Sequence, residues 1–314
     1  MSDDQWGGAR AARMPWGPRR MMSPHSGMLS GETWRLIRDC GRPAENMALD
    51  AAVAWGVGEG LAPSTLRVYR WEPAAVSVGY AQRPEAAVDR DACARRGLAV
   101  VRRPTGGRAV LHDGDVTYAV AVPRRGPWAG LSVAATCRAI HEAVAAGLRR
   151  LGVPAALAGP RPAREGGRGS LCFATVSSHE VTAGGRKLVG SAQRRFHAAV
   201  LQHGSIPLTM DARRLASLAP RGSGDDAEVL ARAMVSLAEA LGRVPDGAEV
   251  AAALAAGFAE TFGILLRGAG YHPAERHLAD QLETLASHGT EGPPWPEGRV
   301  FDALTPCGAS ASVA

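Results

Sequence analysis

The stretch Val101–Asp113 reads VRRPTGGRAVLHD and joins two predicted strands through a glycine pair. Glycines in such a connection let the backbone come close to a ligand, and their N–H groups can bind an anion. Arg102, Arg103 and Arg108 flank the pair, so the pattern predicts a site for an anionic or strongly polar ligand. A plain hairpin turn with solvated arginines is the alternative that a glycine pair alone favours. Neither GxxxxGK[ST] nor GxGxxG is present, which excludes a P-loop and the dinucleotide-binding fingerprint.

A second stretch, Leu171–His203, contains Cys172 and, fifteen residues later, Lys187. The chain has 36 lysines and arginines, and 35 of them are arginine, so Lys187 is its only lysine. Lysine is a compact ammonium and arginine a bulkier planar cation, so this position indicates a need for lysine itself. A chance survivor at the surface is the alternative. A nearby ammonium lowers the pKa of a thiol from about 8.5 towards neutrality, and the pair therefore predicts acyl transfer through a cysteine thioester.

The order of predicted elements indicates an α+β fold, because strands come in runs rather than in regular βαβ units. Predicted strands are Thr33–Arg38, a hairpin of Leu66–Trp71 with Ala75–Gly79, Leu98–Arg102, Val116–Pro123, Leu171–Phe173, Glu180–Ala183, Lys187–Gln193 and Ala198–His203. Predicted helices are Pro43–Gly58, Pro84–Arg96, Leu131–Leu151, Ala227–Leu241, Gly247–Phe262 and Pro273–His288. We predict a disordered leader or an over-long start at 1–30, a catalytic domain at 31–210, a helical appendage at 211–290 and a loose tail at 291–314.

Composition excludes several classes of protein. The hydrophobic fraction is 46% and the net charge +6, which suit a globular fold with a sizeable core. No apolar stretch approaches the roughly 18 residues of a membrane span, and the first 30 residues lack the apolar core of a secretory signal. Five widely spaced cysteines fit neither a disulfide framework nor a zinc site. The tryptophans form no aromatic row with basic residues, so nucleic acid is not the expected partner. We expect a cytoplasmic protein.

Four blocks, in order, resemble the superfamily of lipoate–protein ligases, octanoyltransferases and biotin ligases. They are ENMALD (Glu45–Asp50), YRWEPAAVSVGYAQ (Tyr69–Gln82), RRPTGGRAVLHD (Arg102–Asp113) and GRKLVGSAQRR…LQHGSIPL (Gly185–Leu208). The resemblance spans roughly residues 30–290. It implies an α+β fold of the class II synthetase-like type, with a mixed sheet, an acyl tunnel and a small C-terminal helical segment. In such proteins the RRxTGG block wraps the ligand and the GRK lysine contacts the reacting carbonyl or carboxylate.

Within that superfamily, the chain is most similar to the cysteine-dependent octanoyltransferases. These have TGGR, and a Cys-Phe pair ahead of the GRK strand whose cysteine carries the acyl group; here the pair is Cys172-Phe173. The resemblance implies Cys172 and Lys187 as catalytic residues. It implies substrate-binding residues at Arg70, Arg103, Gly106, Gly107, Arg108, Ala109, Val110, His112, Gly190, Ser191, Ala192 and His203. Two departures are His179 before Glu180 and the composition of the loop Gly159–Gly169.

The implied reaction moves octanoate from octanoyl-acyl carrier protein to a lysine of a lipoyl-accepting domain. The acceptor is the glycine-cleavage H protein or a dehydrogenase E2 domain. No metal or other cofactor is expected, because a thioester is already activated, and nothing in the sequence demands more than a monomer. One alternative is an ATP-dependent lipoate–protein ligase, which would use ATP and Mg²⁺ and grip the adenylate phosphate with the arginines near TGGR. Another is a non-catalytic relative that binds an acyl chain or nucleic acid.

Overall fold

The computed structural model describes residues 29–159, 179–220, 222–223, 226–288 and 295. Its strands are β1 (Thr33–Gly41), β2 (Thr65–Trp71), β3 (Ala75–Val78), β4 (Ala99–Arg102), β5 (Val110–His112), β6 (Asp115–Pro123), β7 (Ala155–Leu157), β8 (Val181–Ala183), β9 (Arg186–Lys187), β10 (Gly190–Arg195), β11 (Ala199–Pro207) and β12 (Leu265–Gly268). Its helices are α1 (Pro43–Glu59), α2 (Pro84–Ala87), α3 (Arg90–Arg95), α4 (Val133–Arg150), α5 (Ala212–Ala216), α6 (Ala227–Ala233), α7 (Leu237–Leu241), α8 (Gly247–Phe262) and α9 (Pro273–His288).

A six-stranded sheet, in the order β10-β11-β6-β2-β1-β12, forms the centre of the fold. The neighbours of β1 run parallel to it, whereas β10, β11, β6 and β2 pair antiparallel. Parallel neighbours need a crossover, and α1 provides it between β1 and β2. The predicted α+β class and mixed sheet are therefore confirmed.

The two faces of this sheet are covered by different helices. One face packs on α4 and α8, whose apolar side chains share a core cluster with Leu66 and Val68 of β2. The other face packs on α1, which α9 covers in turn, and there Tyr69 of β2 joins the core. Successive residues of a strand point to opposite faces, so β2 serves both cores by alternation.

Residues beyond 210 are part of the same packing as the residues before them. β12 pairs with β1 at the edge of the main sheet, and α8 packs closely on α4. A Cβ atom on Gly257 would lie 2.2 Å from the backbone nitrogen of Gly147, so the two helices touch through their glycines. The division predicted at residue 210 therefore does not separate two cores.

Two small three-stranded sheets complete the fold, in the orders β4-β3-β5 and β7-β8-β9. The predicted hairpin of β2 with β3 is wrong, because β1 and β6 already occupy both edges of β2, and β3 pairs with β4 and β5 instead. The glycine pair does not form a hairpin turn either, since β4 and β5 lie on opposite sides of β3. The Arg103–Ala109 connection, which we call the Gly-Gly loop, therefore crosses the end of β3.

Two predicted helices are interrupted, one by a capping side chain and one by a strand pairing. The helix predicted over Pro84–Arg96 is two short helices, because Asp89 caps α3 by accepting from the backbone N–H of Ala92 at 2.8 Å. The helix predicted over Ala227–Leu241 breaks at Met234, which forms a β-bridge with Lys187.

The strand predicted over Lys187–Gln193 also changes sheet. β9 pairs with β8, and after Leu188 and Val189 the chain enters the main sheet as β10. The strand predicted around Leu171–Phe173, most of the Gly159–Gly169 loop, the leader and most of the tail lie outside the described residues. Within the described part of the chain, no helix is long and apolar enough to span a membrane.

Candidate active site

A pocket of about 330 Å³, counting its open mouth, lies on the α1 face of the main sheet. The surface that it presents is mostly apolar. Seven of the predicted binding residues line it: Arg103, Val110, His112, Gly190, Ser191, Ala192 and His203. Residues that sequence reasoning missed complete the wall: Met47, Tyr69, Trp71, Ser77, Thr117, Gly204 and Ser205.

Five predicted binding residues lie elsewhere. Arg70 does not line the pocket, because it alternates with Tyr69 and Trp71 on β2 and its exposed side chain runs beside Gly247 on the opposite face. Ala109 does not line it either, because it is fully buried in the core of the β4-β3-β5 sheet. The remaining three, Gly106, Gly107 and Arg108, lie in the Gly-Gly loop beside the pocket rather than in its wall.

The Gly-Gly loop is held close to the end of β3. Gly107 has φ of 89°, a left-handed conformation that glycine adopts without strain. A Cβ atom on Gly79 would lie 2.0 Å from the carbonyl oxygen of Gly107, so only glycine at position 79 allows this approach. The backbone N–H of Tyr80 donates to the carbonyl of Thr105 at 2.8 Å. The glycines therefore permit the close packing of two backbone segments.

The arginines of this block donate chiefly to backbone carbonyls. Arg103 is buried, and its guanidinium donates to the carbonyl oxygens of Ser77, Gly106 and Arg108 at 2.7–3.1 Å. Arg102 donates to three carbonyls of residues 79, 80 and 82 at 2.7–3.2 Å. The sequence predicted that these arginines bind an anion. In the structure, the hydrogen bonds that both guanidinium groups donate to these carbonyls fix the loops around the pocket.

One carboxylate–imidazole pair in the pocket wall joins His112 to Asp115. His112 Nδ1 lies 2.9 Å from Asp115 Oδ2, and His112 Nε2 lies 2.9 Å from the hydroxyl of Ser77. Asp115 also accepts from the hydroxyls of Thr117 and Ser205, at 3.1 and 2.6 Å. Since a carboxylate accepts and Nδ1 must donate to it, Nε2 is the acceptor for the Ser77 hydroxyl. Trp71 stacks on the imidazole at 3.8 Å between ring centres and 12° between planes.

A second pair joins His203 to Asp50 in the same wall. His203 Nδ1 lies 2.7 Å from Asp50 Oδ2, and His203 Nε2 lies 2.6 Å from the hydroxyl of Thr105. Asp50 also accepts from Arg67 and from the Tyr69 hydroxyl, each at 2.8 Å. Burial opposes ionisation of Asp50, yet the hydrogen bond from His203 and the Arg67 charge lower its pKa overall. Burial lowers the pKa of His203 despite the Asp50 carboxylate, so this imidazole is neutral at pH 7.

The sequence analysis did not identify the two carboxylates of these pairs, Asp50 and Asp115. Asp50 and His203 are 153 residues apart, and no local spacing reveals that they meet. The only available signal was that Asp50 ends the ENMALD block while His203 lies in the LQHGSIPL block. Asp115 lies three residues after His112, so a short-range search for histidine partners could have found it.

Lys187 is buried at the start of the segment that leads into the pocket. The residue is 1% exposed, and Nζ lies 2.7 Å from Glu180 Oε1. A buried ammonium is stable only when paired, and Glu180 provides the counter-charge. Three residues after Lys187, β10 begins with Gly190, Ser191 and Ala192, which line the pocket. The alternative of a chance lysine on the surface is therefore excluded.

Cys172 lies outside the described residues, so the structure describes no geometry for it. Among the described residues, Cys40, Cys93 and Cys137 are free thiols. Burial raises the pKa of each, and that of Cys137 reaches about 11. A thiol that keeps its proton at neutral pH is a poor nucleophile. The raised pKa values disfavour the thiolate form at these three cysteines.

Comparison with known proteins gives a consistent result. Residues 42–259 match the family described as the lipoyl protein ligase A/B catalytic domain. The chain is 45% identical over 242 residues to octanoyltransferase LipM of Symbiobacterium thermophilum, covering 74% of this chain and 88% of that protein. A crystal structure of lipoate-protein ligase A bound with ATP is similar with a TM-score of 0.67 at 26% identity, covering 81% of this chain and 94% of that one.

A further solved structure contains a bipartite lipoate protein ligase and its E2 lipoyl domain from Thermoplasma acidophilum. It is similar with a TM-score of 0.66 at 26% identity, covering 81% of this chain and 92% of that one. The mixed sheet and the mostly apolar pocket on its face define an α+β fold with a candidate small-molecule site. More specifically, the chain belongs to the lipoyl protein ligase A/B catalytic domain family, which confirms the resemblance carried by the four sequence blocks.

Proposed function

We propose that this protein is an octanoyltransferase of lipoate biosynthesis, which moves an octanoyl group onto a lysine of a lipoyl-accepting domain. The observation that carries the proposal is the 45% identity to a curated octanoyltransferase over 88% of that protein's length. The solved ligases, at 26% identity, share the fold but differ in far more of their residues.

The pocket suits an aliphatic chain because its polar side chains bind one another. His112 and His203 each have both ring nitrogens within hydrogen-bond distance of a side-chain oxygen. An apolar chain that enters such a pocket leaves no donor or acceptor of these rings unpaired, so it meets no polar desolvation cost there. Each methylene that it buries contributes about 0.8 kcal/mol.

Cys172 is the nucleophile of the proposed reaction. Its thiolate attacks the thioester carbonyl of octanoyl-acyl carrier protein, the carrier's C–S bond breaks, and the carrier leaves as a thiolate that takes a proton from solvent. Lys187 stabilises the thiolate and the developing oxyanion, with the backbone N–H groups near Gly106 and Gly107 as further donors. The neutral amine of the acceptor lysine then attacks the acyl-enzyme and the C–S bond to Cys172 breaks. The new amide forms as the amine gives one proton to solvent, and the Cys172 thiolate is released. The reaction consumes no ATP and uses no metal.

The proposed partners are acidic proteins, and the charge of the chain favours them. The donor is octanoyl-acyl carrier protein, and the acceptor is the H protein or an E2 lipoyl domain. A structural neighbour of this chain is a ligase studied with its E2 lipoyl domain. The net charge of +6 steers acidic partners towards the enzyme. We place the reaction in the cytoplasm and expect the enzyme to act as a monomer.

The ATP-dependent ligase alternative needs arginines that grip an adenylate phosphate. Arg102 and Arg103 instead direct their guanidinium groups at backbone carbonyls, which disfavours that role. The test compares two reactions on one lipoyl domain: octanoyl-acyl carrier protein without ATP, and free octanoate with ATP and Mg²⁺. We expect octanoylation of the domain in the first reaction. Octanoylation only in the second would make the protein a ligase.

A further inference from the structure

Hydrogen bonds connect both carboxylate–imidazole pairs of the pocket wall to the Gly-Gly loop. One path runs from Asp115 through His112 to the hydroxyl of Ser77, which accepts from Arg103 Nη1 at 3.2 Å. Arg103 in turn donates to the carbonyls of Gly106 and Arg108. This path, the first relay, therefore reaches the Gly-Gly loop from one side.

The other path runs from Asp50 through His203 to the hydroxyl of Thr105, itself a member of the Gly-Gly loop. Asp50, His203 and Thr105 are all buried, and the Arg67 guanidinium fixes the far oxygen of Asp50 at 2.8 Å. This path, the second relay, shares no residue with the first. Two independent sets of contacts thus hold one loop.

We infer that Asp50 and Asp115 are positioning residues, which hold the Gly-Gly loop in the shape that the acyl-transfer step requires. The inference rests on the proposed function, because the loop's backbone N–H groups matter only if they receive the oxyanion of the thioester. Gly106 and Gly107 give the centre of this loop little rigidity of its own, since glycine restricts backbone dihedrals least. Each carboxylate fixes one tautomer of its histidine, and each histidine then fixes a hydroxyl that contacts the loop or its arginine.

This role differs from direct substrate binding in what it does to the kinetics. Donors that are misplaced by a few tenths of an ångström stabilise the transition state less, while the bound substrate loses little. A positioning role therefore lowers the limiting rate of acylation, whereas a wall contact with the acyl chain raises the half-saturating donor concentration. An Asp→Asn change preserves size and leaves an amide that no longer enforces the tautomer.

The test measures acyl-enzyme formation by rapid quench and intact mass in wild type, Asp50→Asn and Asp115→Asn, over a range of octanoyl-acyl carrier protein concentrations. We expect the limiting rate to fall roughly 10- to 100-fold in both variants, less than loss of an oxyanion donor itself. The half-saturating concentration stays within about 3-fold of wild type, and Asp115→Glu recovers part of the rate.

Glu275→Gln is the matched control, because Glu275 is a fully buried carboxylate paired with Arg35 at 2.6 Å outside the pocket. Its limiting rate should stay within about 3-fold of wild type, measured below the thermal midpoint of every variant. A double variant tests the relay itself: once Ser77→Ala has cut the first relay, Asp115→Asn should cost little more, as expected for members of one network.

Three results would overturn the inference. They are limiting rates of Asp50→Asn and Asp115→Asn equal to that of Glu275→Gln, a raised half-saturating concentration with an unchanged limiting rate, or fully additive effects of Ser77→Ala and Asp115→Asn. Failure of the proposed function gives a different result, since wild type itself would then form no octanoyl adduct.

Discussion

The only lysine of the chain is a buried cation with a fixed partner. Lys187 lies against Glu180, and Arg186 one position earlier is partly exposed and pairs with Glu239 on the surface. A guanidinium is larger and planar, so it cannot occupy the space of a buried ammonium without displacing its neighbours. The lysine at position 187 is therefore a requirement of shape as well as of charge.

Replacing Lys187 by arginine should abolish most of the transfer activity, by roughly 100-fold or more, because the charge is retained but misplaced. The measurement is the rate of octanoyl transfer to a lipoyl domain, with thermal unfolding monitored in parallel. Arg186→Lys, the reciprocal change at the neighbouring position, should keep near-normal activity. Full activity in Lys187→Arg would contradict the role assigned to the ammonium.

A buried histidine near this lysine makes stability depend on pH. His141 Nδ1 lies 2.8 Å from the carbonyl of His179, and burial lowers the pKa of His141 to about 4, with the Lys187 charge acting in the same direction. In the unfolded chain its pKa is about 6.5. Between these values the unfolded chain binds the proton and the folded chain does not. Stability is therefore lost progressively as pH falls from about 6.5 to 4, and this loss is complete below pH 4.

His141→Gln should flatten this dependence, because glutamine can donate to the same carbonyl but does not titrate. Between pH 7 and 4.5 the wild type should lose roughly 2–3 kcal/mol more unfolding free energy than the variant. Urea unfolding at the two pH values measures the difference, in which all other titrating groups cancel. Equal losses in the two proteins would show that His141 is protonated in the folded state.

At the scale of elements, the conformation of the Gly-Gly loop can be tested by replacing its two adjacent glycines one at a time. Gly107 has a left-handed backbone and a crowded Cβ position, with Arg103 Nη2 at 2.8 Å; Gly106 has neither feature. Gly107→Ala should lower the unfolding free energy by about 1–3 kcal/mol. Gly106→Ala should change it by less than about 1 kcal/mol. Chemical denaturation of both variants decides the point, and equal losses would mean that the loop differs from the structure described.

Elements defined by local pattern were predictable, and those defined by long-range pairing were not. Proline at position 43 and the apolar content of the following residues predicted α1 almost to its ends. The partner of β3 could not be predicted, because a strand pattern does not reveal which edges are already occupied. The break between α6 and α7 depends on Met234 pairing with Lys187, a contact between residues far apart in sequence.

The same difference between local patterns and long-range pairings applies to the candidate active site. Lys187, His112 and His203 could be identified from composition and from blocks resembling a family. Asp50 and Thr105 could not, because they act through side-chain pairs that only the folded chain brings together. Of the arginines in RRPTGGR, Arg103 lines the pocket, and the guanidinium groups of Arg102 and Arg103 both donate to backbone carbonyls. Charge in a sequence does not show whether a guanidinium faces a phosphate or a backbone carbonyl.

At the scale of the whole molecule, residues on both sides of position 210 build one enzyme. The family match ends at residue 259, within α8. Beyond it, β12 adds an edge strand beside β1, and α9 covers α1. The pocket draws its wall from elements that all lie before residue 210, namely α1, β2, β3, β5, β6, β10 and β11. Any acyl transfer at this pocket therefore depends on elements spread from α1 to β11 rather than on a short motif, and the elements beyond residue 210 complete the core around them.

The most direct test of the account is the intact mass of the protein after mixing with octanoyl-acyl carrier protein in the absence of ATP, beside a Cys172→Ser control. We predict a gain of one octanoyl group on the wild type that hydroxylamine removes, as expected for a thioester. The control should gain none, or gain one that hydroxylamine leaves in place. An unmodified wild-type protein that octanoylates a lipoyl domain only when given free octanoate and ATP would contradict the account.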